Sequence, residues 1–265
     1  MDYIQVVFMA IVQGIAEFLP ISSSGHLCVL YDLFKQLGTT LESSSLTLSI
    51  ALHFGTLISI FVVYRARIWK FLTTERRVLL MVLIATIPAA LAKTMIDDSV
   101  LENSLVAGIC FPITGIMLLW CSDRSGNTTC REMSVKQSAL IGLVQAIALL
   151  PGISRSGSTI CAGLLCGMKR DEAATFSFMM AIPAIAGGAL LETIELLKNQ
   201  SSGTAEPISQ HGIFLLLIGV IVSCVVGILA LKLLLKWLEQ GKLKYFAYWL
   251  FLLGPTVIIW RLFFA

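Results

Sequence analysis

Apolar residues run through this chain in long blocks. Six of them, roughly 46–64, 78–96, 104–121, 174–197, 213–235 and 245–264, can each form a helix that crosses a bilayer, which takes about 20 residues. Pro88, Pro112, Pro183 and Pro255 lie inside these blocks and would kink the helices, as a membrane bundle tolerates. Two further apolar regions, roughly 3–34 and 136–168, are cut near their middles by a proline followed by a Ser/Gly cluster. For the spans to alternate, each of these must enter and leave on one face as a re-entrant helical hairpin. Non-helical backbone persists at membrane depth only when it is buried in protein or lines a wet cavity, so such hairpins build sites.

The basic residues give the orientation. Segments 65–77, 122–136, 168–172 and 236–244 carry most of the Lys and Arg, with Lys232 able to snorkel to the same side; the opposite side keeps Lys35, Lys93, Lys198 and Arg261. The richer side is cytoplasmic by the positive-inside rule. Trp69, Trp120 and Trp237 then fall at the inner interface, Trp260 at the outer one, and both termini lie outside.

A shift of 132 residues lays "VQGIAEFLPISSSG" (12–25) on "VQAIALLPGISRSG" (144–157) and matches Gln13 with Gln145, Ser22 with Ser154 and Gly25 with Gly157. Twice that shift is nearly the whole chain. The expected organisation is one membrane domain over 1–265: repeat one at 1–121, a cytoplasmic linker at 122–135 and repeat two at 136–265. Each repeat has one hairpin and three spans. Three is odd, so the second copy is inverted and the hairpin tips meet near the midplane. The expected fold class is therefore an all-α integral membrane protein, with six transmembrane helices and two re-entrant hairpins in an inverted-topology repeat.

Composition agrees with this reading: 57% of the 265 residues are hydrophobic and 13% charged, against about 25% charged in soluble domains. The net charge of +3 is small and dispersed, which excludes nucleic acid as an expected partner. Seven cysteines, five of them in apolar stretches, read as small hydrophobes in packed helices. Cys121 and Cys130 flank a polar loop without the histidine or second cysteine pair of a zinc site. The N-terminus lacks a basic n-region and a small-residue cleavage site, so it reads as part of the mature protein.

The polar residues inside the apolar regions carry the chemistry. In "PGISRSGST" (151–159), Pro and Gly allow a turn, and hydroxyl residues then start a helix whose free N–H groups suit a phosphate. Arg155 adds a planar fork of donors matched to phosphate oxygens, with Ser154, Ser156, Ser158 and Thr159 around it. Burying an arginine at membrane depth costs at least about 2.5 kcal/mol, so it needs an anionic partner; a pairing with Glu17 that merely holds the tips together is the structural alternative. The first tip supplies Ser22, Ser23, Ser24 and Gly25 after Pro20, with Glu17 before the break and His26 after it. Glu17 can be a metal ligand, a general base or a partner for Arg155, and His26 a base, an acid or a nucleophile. His53 lies mid-span, where it either approaches the site or bonds a carbonyl. Glu192, Glu195 and His211 lie at an outer helix end or in the polar outer loop and read as solvated. Together these residues describe an anion-handling site in a membrane, belonging either to an enzyme acting on a lipid phosphate or to a transporter.

The segments "QGIAEFLPISSSGH" (13–26) and "PGISRSGST" (151–159) resemble the two motifs of the bacterial undecaprenyl-diphosphate phosphatase family, also known as the bacitracin-resistance protein. Order, spacing and span layout also agree, so the resemblance covers essentially the full chain. It implies removal of the terminal phosphate of undecaprenyl diphosphate at the outer face of the bacterial cytoplasmic membrane, which recycles the lipid carrier for cell-wall synthesis. A flippase or transporter of a lipid phosphate or small anion is the alternative. The resemblance implies Glu17, Ser23, His26 and Arg155 as the catalytic group. Gln13, Ser22, Ser24, Gly25, Ser154, Ser156 and Thr159 are expected on the substrate. A divalent cation, Mg or Ca, is implied, with Glu17 as its ligand. The implied partners are the lipid substrate and the bilayer, with a homodimer as one open arrangement. One position departs from the family pattern: its first acidic residue is Gln13 here. An amide can still bind a metal through its oxygen, but it supplies no charge and no base. Its match with Gln145 also fits an amide that hydrogen-bonds across the bundle.

Overall fold

Pro and Ser divide each interrupted apolar region into two helices. The computed structural model describes residues 3–38, 45–201 and 210–264. In chain order these form α1 (Tyr3–Ala16), α2 (Ser23–Gln36), α3 (Ser45–Thr73), α4 (Arg76–Lys93), the short α5 (Asp98–Leu101) and α6 (Ser104–Cys121). The chain continues through α7 (Val135–Ile147), α8 (Arg155–Leu165), α9 (Arg170–Ser201), α10 (Gln210–Glu239) and α11 (Lys244–Phe263). Among the described residues the β pairing is confined to an isolated bridge between Thr128 and Met168. The protein is all-helical.

Among the described residues five helices, α3, α6, α9, α10 and α11, are long and apolar enough to cross a membrane. The block expected as a span at 78–96 becomes α4, which ends at Lys93 and is not among the five. Arg76, Arg77 and Lys93 lie within its 18 residues, so its apolar stretch is shorter than the block suggested. Most of the polar loop 198–211 lies outside the described residues.

Helix α10 packs against α1 and α3, α11 against α6, α4 against α7, and α8 against α9. The breaks between α1 and α2 and between α7 and α8 lie inside this bundle. Phe18, Phe111, Phe176 and Phe178 are fully buried, and Phe18 meets Phe178 edge-on at 5.7 Å between centroids. The irregular backbone of both breaks is thus wrapped in protein.

The charged residues gather at two ends. At one, Arg67 pairs with Glu172, which also accepts from the Cys130 N–H at 2.8 Å, and Arg170 donates to the Ser122 carbonyl at 3.1 Å. At the other, Arg261 lies 3.4 Å from Asp32, which accepts from the Ser104 hydroxyl.

Candidate active site at the two helix breaks

The first break begins where α1 makes one last turn, with Glu17 N–H on the Gln13 carbonyl at 3.0 Å. The chain then turns through Pro20 to Ser22, which has a positive φ of 71° and caps α2 by accepting from Gly25 N–H at 3.3 Å. In the second break Gly152 takes a φ of 88°, and Ser154 caps α8 by accepting from Gly157 N–H at 3.1 Å. The tips touch directly, because Gly152 N–H donates to the Ser22 hydroxyl at 3.1 Å. A Cβ on Gly25 would stand 2.7 Å from the Gly152 nitrogen and 2.8 Å from the Phe111 ring, so only glycine lets the tips approach this closely. Thr114 of α6 braces the second tip: its hydroxyl donates to the Gly152 carbonyl at 2.9 Å and accepts from Ser154 N–H at 3.1 Å.

An ion pair sits at the junction. Arg155 Nη2 donates to Glu17 Oε1. The other carboxylate oxygen, Oε2, accepts from the Ser23 hydroxyl at 2.7 Å and from Gln13 Nε2 at 3.1 Å, and His53 Nε2 faces it at 4.0 Å. Arg155 Nη1 is buried with no hydrogen-bond partner. Beside these groups is a cavity of about 40 Å³ lined by Glu17, Ser22, Ser23, Ser24, Ser154, Arg155 and Ser156, with Ala16, Ala148 and Ile153. It has room for a few waters only; a diphosphate needs the tip side chains to move apart.

His26 occupies the other side of the first tip. Its Nδ1 meets the Ser22 carbonyl at 2.8 Å, and Trp249 Nε1–H donates to its Nε2 at 3.1 Å. A carbonyl only accepts and an indole N–H only donates, so Nδ1 carries the proton and both ring nitrogens are engaged. The ring lies nearly parallel to Trp249, at 16°, and meets Phe111 edge-on. It lines an apolar groove of about 420 Å³ with Val12, Ile15, Leu19, Ile21, Tyr245, Phe246 and Trp249, and Ala16 borders both the groove and the polar cavity.

Seven of the expected site residues therefore line one cavity: Glu17, Ser22, Ser23, Ser24, Ser154, Arg155 and Ser156. Four do not. Gln13 lies buried behind Glu17, Gly25 is a packing contact between the tips, and His26 faces the groove. Thr159 turns toward α9, with its hydroxyl on the Arg155 carbonyl at 2.8 Å and the Ser177 hydroxyl at 2.6 Å. Gln13 bonds within its own hairpin rather than across the bundle, and neither polar atom of the Gln145 side chain has a partner. Thr114, Phe111 and Trp249 support the tips without belonging to either motif. Each is an isolated residue in an apolar block, which gives no local signal.

A family model described as bacitracin resistance protein BacA matches residues 6–256. The chain belongs to the BacA family. A Rhodopirellula baltica protein named undecaprenyl-diphosphatase is 44% identical, over 98% of this chain and 99% of its own. Relatives with the same name from Thermodesulfovibrio yellowstonii, 37% identical over 97% of each chain, and Halothermothrix orenii, 36% identical over 98% of each, are similar along their whole lengths.

A divalent cation fits poorly in this BacA-family site. Mg and Ca want several hard oxygen ligands, usually including carboxylates. The cavity offers one carboxylate, Glu17, which already engages Arg155, Ser23 and Gln13. A carboxylate only accepts, so Gln13 turns its NH2 toward Glu17; its oxygen is buried elsewhere, without a partner and away from the cavity lining. Among the described residues no cluster of three His, Cys, Asp or Glu side chains could hold a metal.

Proposed function

We propose that this protein is an undecaprenyl-diphosphate phosphatase that releases inorganic phosphate and undecaprenyl phosphate, recycling the lipid carrier for cell-wall synthesis. The family and the names of its relatives support the substrate. The observation that carries the reading to these residues is Arg155. One of its nitrogens is neutralised by Glu17, while the other is buried, unpaired and set among serines. A buried donor without an acceptor is costly, and a phosphate oxygen in the cavity would satisfy it.

Phosphoryl transfer rests chiefly on positioning and charge stabilisation. Arg155 and the hydroxyl-rich helix starts hold the diphosphate, and its isoprenoid tail leaves toward the bilayer. Ser23 donates its hydroxyl proton toward Glu17 at 2.7 Å, the arrangement of a nucleophile beside its base. Ser23 Oγ attacks the terminal phosphorus, the bond from that phosphorus to the bridging oxygen breaks, and the lipid monophosphate leaves. Water then cleaves the phosphoserine and returns the proton to Ser23. Both His26 nitrogens are occupied away from the cavity, so His26 positions the Ser22 tip. The cation implied by the family pattern has no part in these steps.

In the membrane, the α1/α2 and α7/α8 pairs are re-entrant hairpins of an inverted repeat, α4 is the sixth span, and the site opens to the outer side of the cytoplasmic membrane. The matched caps at Ser22 and Ser154 support the repeat. Nothing in the geometry favours a flippase. The test is release of inorganic phosphate from undecaprenyl diphosphate by purified protein in detergent. Wild type releases it and Arg155→Ala does not; silence of the wild type with and without added Mg overturns the reading.

A further inference from the structure

The residue facing Glu17 from outside both motifs is His53. It lies in α3, and its Nδ1 meets the Ser49 carbonyl at 2.9 Å. A carbonyl only accepts, so Nδ1 carries a proton there; Nε2 faces Glu17 Oε2 across 4.0 Å, an ion-pair distance, and holds the carboxylate when it carries the ring's second proton. Both carboxylate oxygens are already engaged: Arg155 takes Oε1, Ser23 and the Gln13 amide take Oε2, and the His53 ring stands beside Oε2. A dication on Glu17 would have to displace one of these donors and sit beside a guanidinium of like charge. The cost of that arrangement rises steeply in a buried, low-dielectric site.

We infer that this protein works without a resident divalent cation: Arg155 neutralises Glu17 in the cation's place, and His53 is a positioning residue that, with Gln13, holds the carboxylate toward Ser23. This rests on the phosphatase reading for its reaction but not for its metal chemistry. The chain's departure at Gln13 is then part of one arrangement. An amide donor replaces a carboxylate ligand, and the imidazole braces what the cation would otherwise have held.

Two measurements on the full-length protein in detergent test this. The first is Mn²⁺ binding, followed by the loss of the free-ion electron paramagnetic resonance signal, for wild type, Glu17→Gln and Gln13→Glu. The second is phosphate release from undecaprenyl diphosphate in excess EDTA and in Mg. The inference expects wild type to bind no more Mn²⁺ than Glu17→Gln and to work within about twofold in either buffer. Gln13→Glu gains a Mn²⁺ site, and EDTA suppresses its activity. His53→Leu lowers kcat about tenfold with KM little changed, and His53→Gln, which keeps a donor, recovers most of it. A wild-type Mn²⁺ site that Glu17→Gln removes overturns the inference, as does wild-type activity lost in EDTA and restored by Mg. His53→Leu acting like wild type overturns the positioning role. If no phosphate is released under any condition, the phosphatase reading fails, and the Mn²⁺ titration still decides the cation question.

Discussion

Ser22 and Gly152, 130 positions apart, are joined by a hydrogen bond of 3.1 Å from the glycine N–H to the serine hydroxyl. The same oxygen accepts from Gly25 N–H, so one side chain both caps α2 and fastens the second tip. Ser22 keeps a φ of 71° to do this, a conformation that costs a non-glycine residue about 1–3 kcal/mol. The His26 ring on the Ser22 carbonyl helps to hold it there. This tie keeps Glu17 of one break within reach of Arg155 of the other.

Ser22→Ala leaves the Gly152 N–H buried and unpaired, which costs about 1–3 kcal/mol. The expected result is a lower thermal unfolding midpoint in detergent together with slower phosphate release, since the ion pair loses its support. Ser22→Gly loses the same bonds but relieves the backbone. It is expected to melt between the alanine variant and wild type, and an order in which alanine is the more stable contradicts the strain at Ser22.

Gly25→Ala tests the contact between the tips. Its Cβ would meet the Gly152 nitrogen at 2.7 Å and the Phe111 ring at 2.8 Å. Backbone cannot yield as a flexible side chain does, so the tips separate at a cost of about 1–3 kcal/mol. Phosphate release is expected to fall about tenfold or more, since displacement of a reacting group by an ångström costs up to about a hundredfold. Phe111→Leu on this background relieves the ring clash alone, so it recovers little activity if Gly152 is the main obstacle.

Both tips were legible in the sequence because their determinants are local: Pro20 and Pro151 at the turns, Ser22 and Ser154 at the helix starts. Gly25 was expected on the substrate, and its packing against Gly152 emerges only from the fold. The pairing of Glu17 with Arg155 was legible only as the alternative to a phosphate partner, since a buried arginine needs an anion but its neighbours in the chain do not say which. Spans were read from apolar length, which succeeds for α3, α6, α9, α10 and α11 but overextends α4, where Lys93 ends the helix. His53 was visible only as one of two alternatives, and Thr114 and Trp249 not at all. Their importance comes from what packing brings together: α6 against α8, and the Trp249 indole of α11 onto His26 of α2. The direction in which Thr159 points is likewise a packing outcome, decided by Ser177 on α9.

Removing the Glu17 charge leaves Arg155 buried without an anion. Glu17→Gln is expected to lose about 3 kcal/mol, in the range for breaking a buried ion pair from one side. Phosphate release should fall at least about a hundredfold with the loss of the base. Inorganic diphosphate should then raise the unfolding midpoint of Glu17→Gln more than that of wild type, because a ligand that binds only the folded state stabilises it. The Arg155→Ala, Glu17→Gln double variant should show no such protection. Equal protection of all three proteins would mean that the anion binds elsewhere.

Trp249→Phe separates the two readings of His26. The substitution keeps an aromatic ring beside the imidazole but removes the indole N–H that donates to Nε2 at 3.1 Å. The freed nitrogen faces the apolar groove rather than the serine-lined cavity, so a positioning His26 loses about 1 kcal/mol of stability and kcat stays within about threefold. His26→Ala also releases the Ser22 carbonyl, and its stability loss should resemble that of Ser22→Ala. If His26 instead takes or gives a proton through Nε2, unmasking that nitrogen changes kcat about tenfold or more and moves the pH profile of phosphate release. An unchanged profile in Trp249→Phe, with a lowered melting midpoint, is the outcome expected of a histidine that holds the tip while Ser23 and Glu17 act on the phosphate.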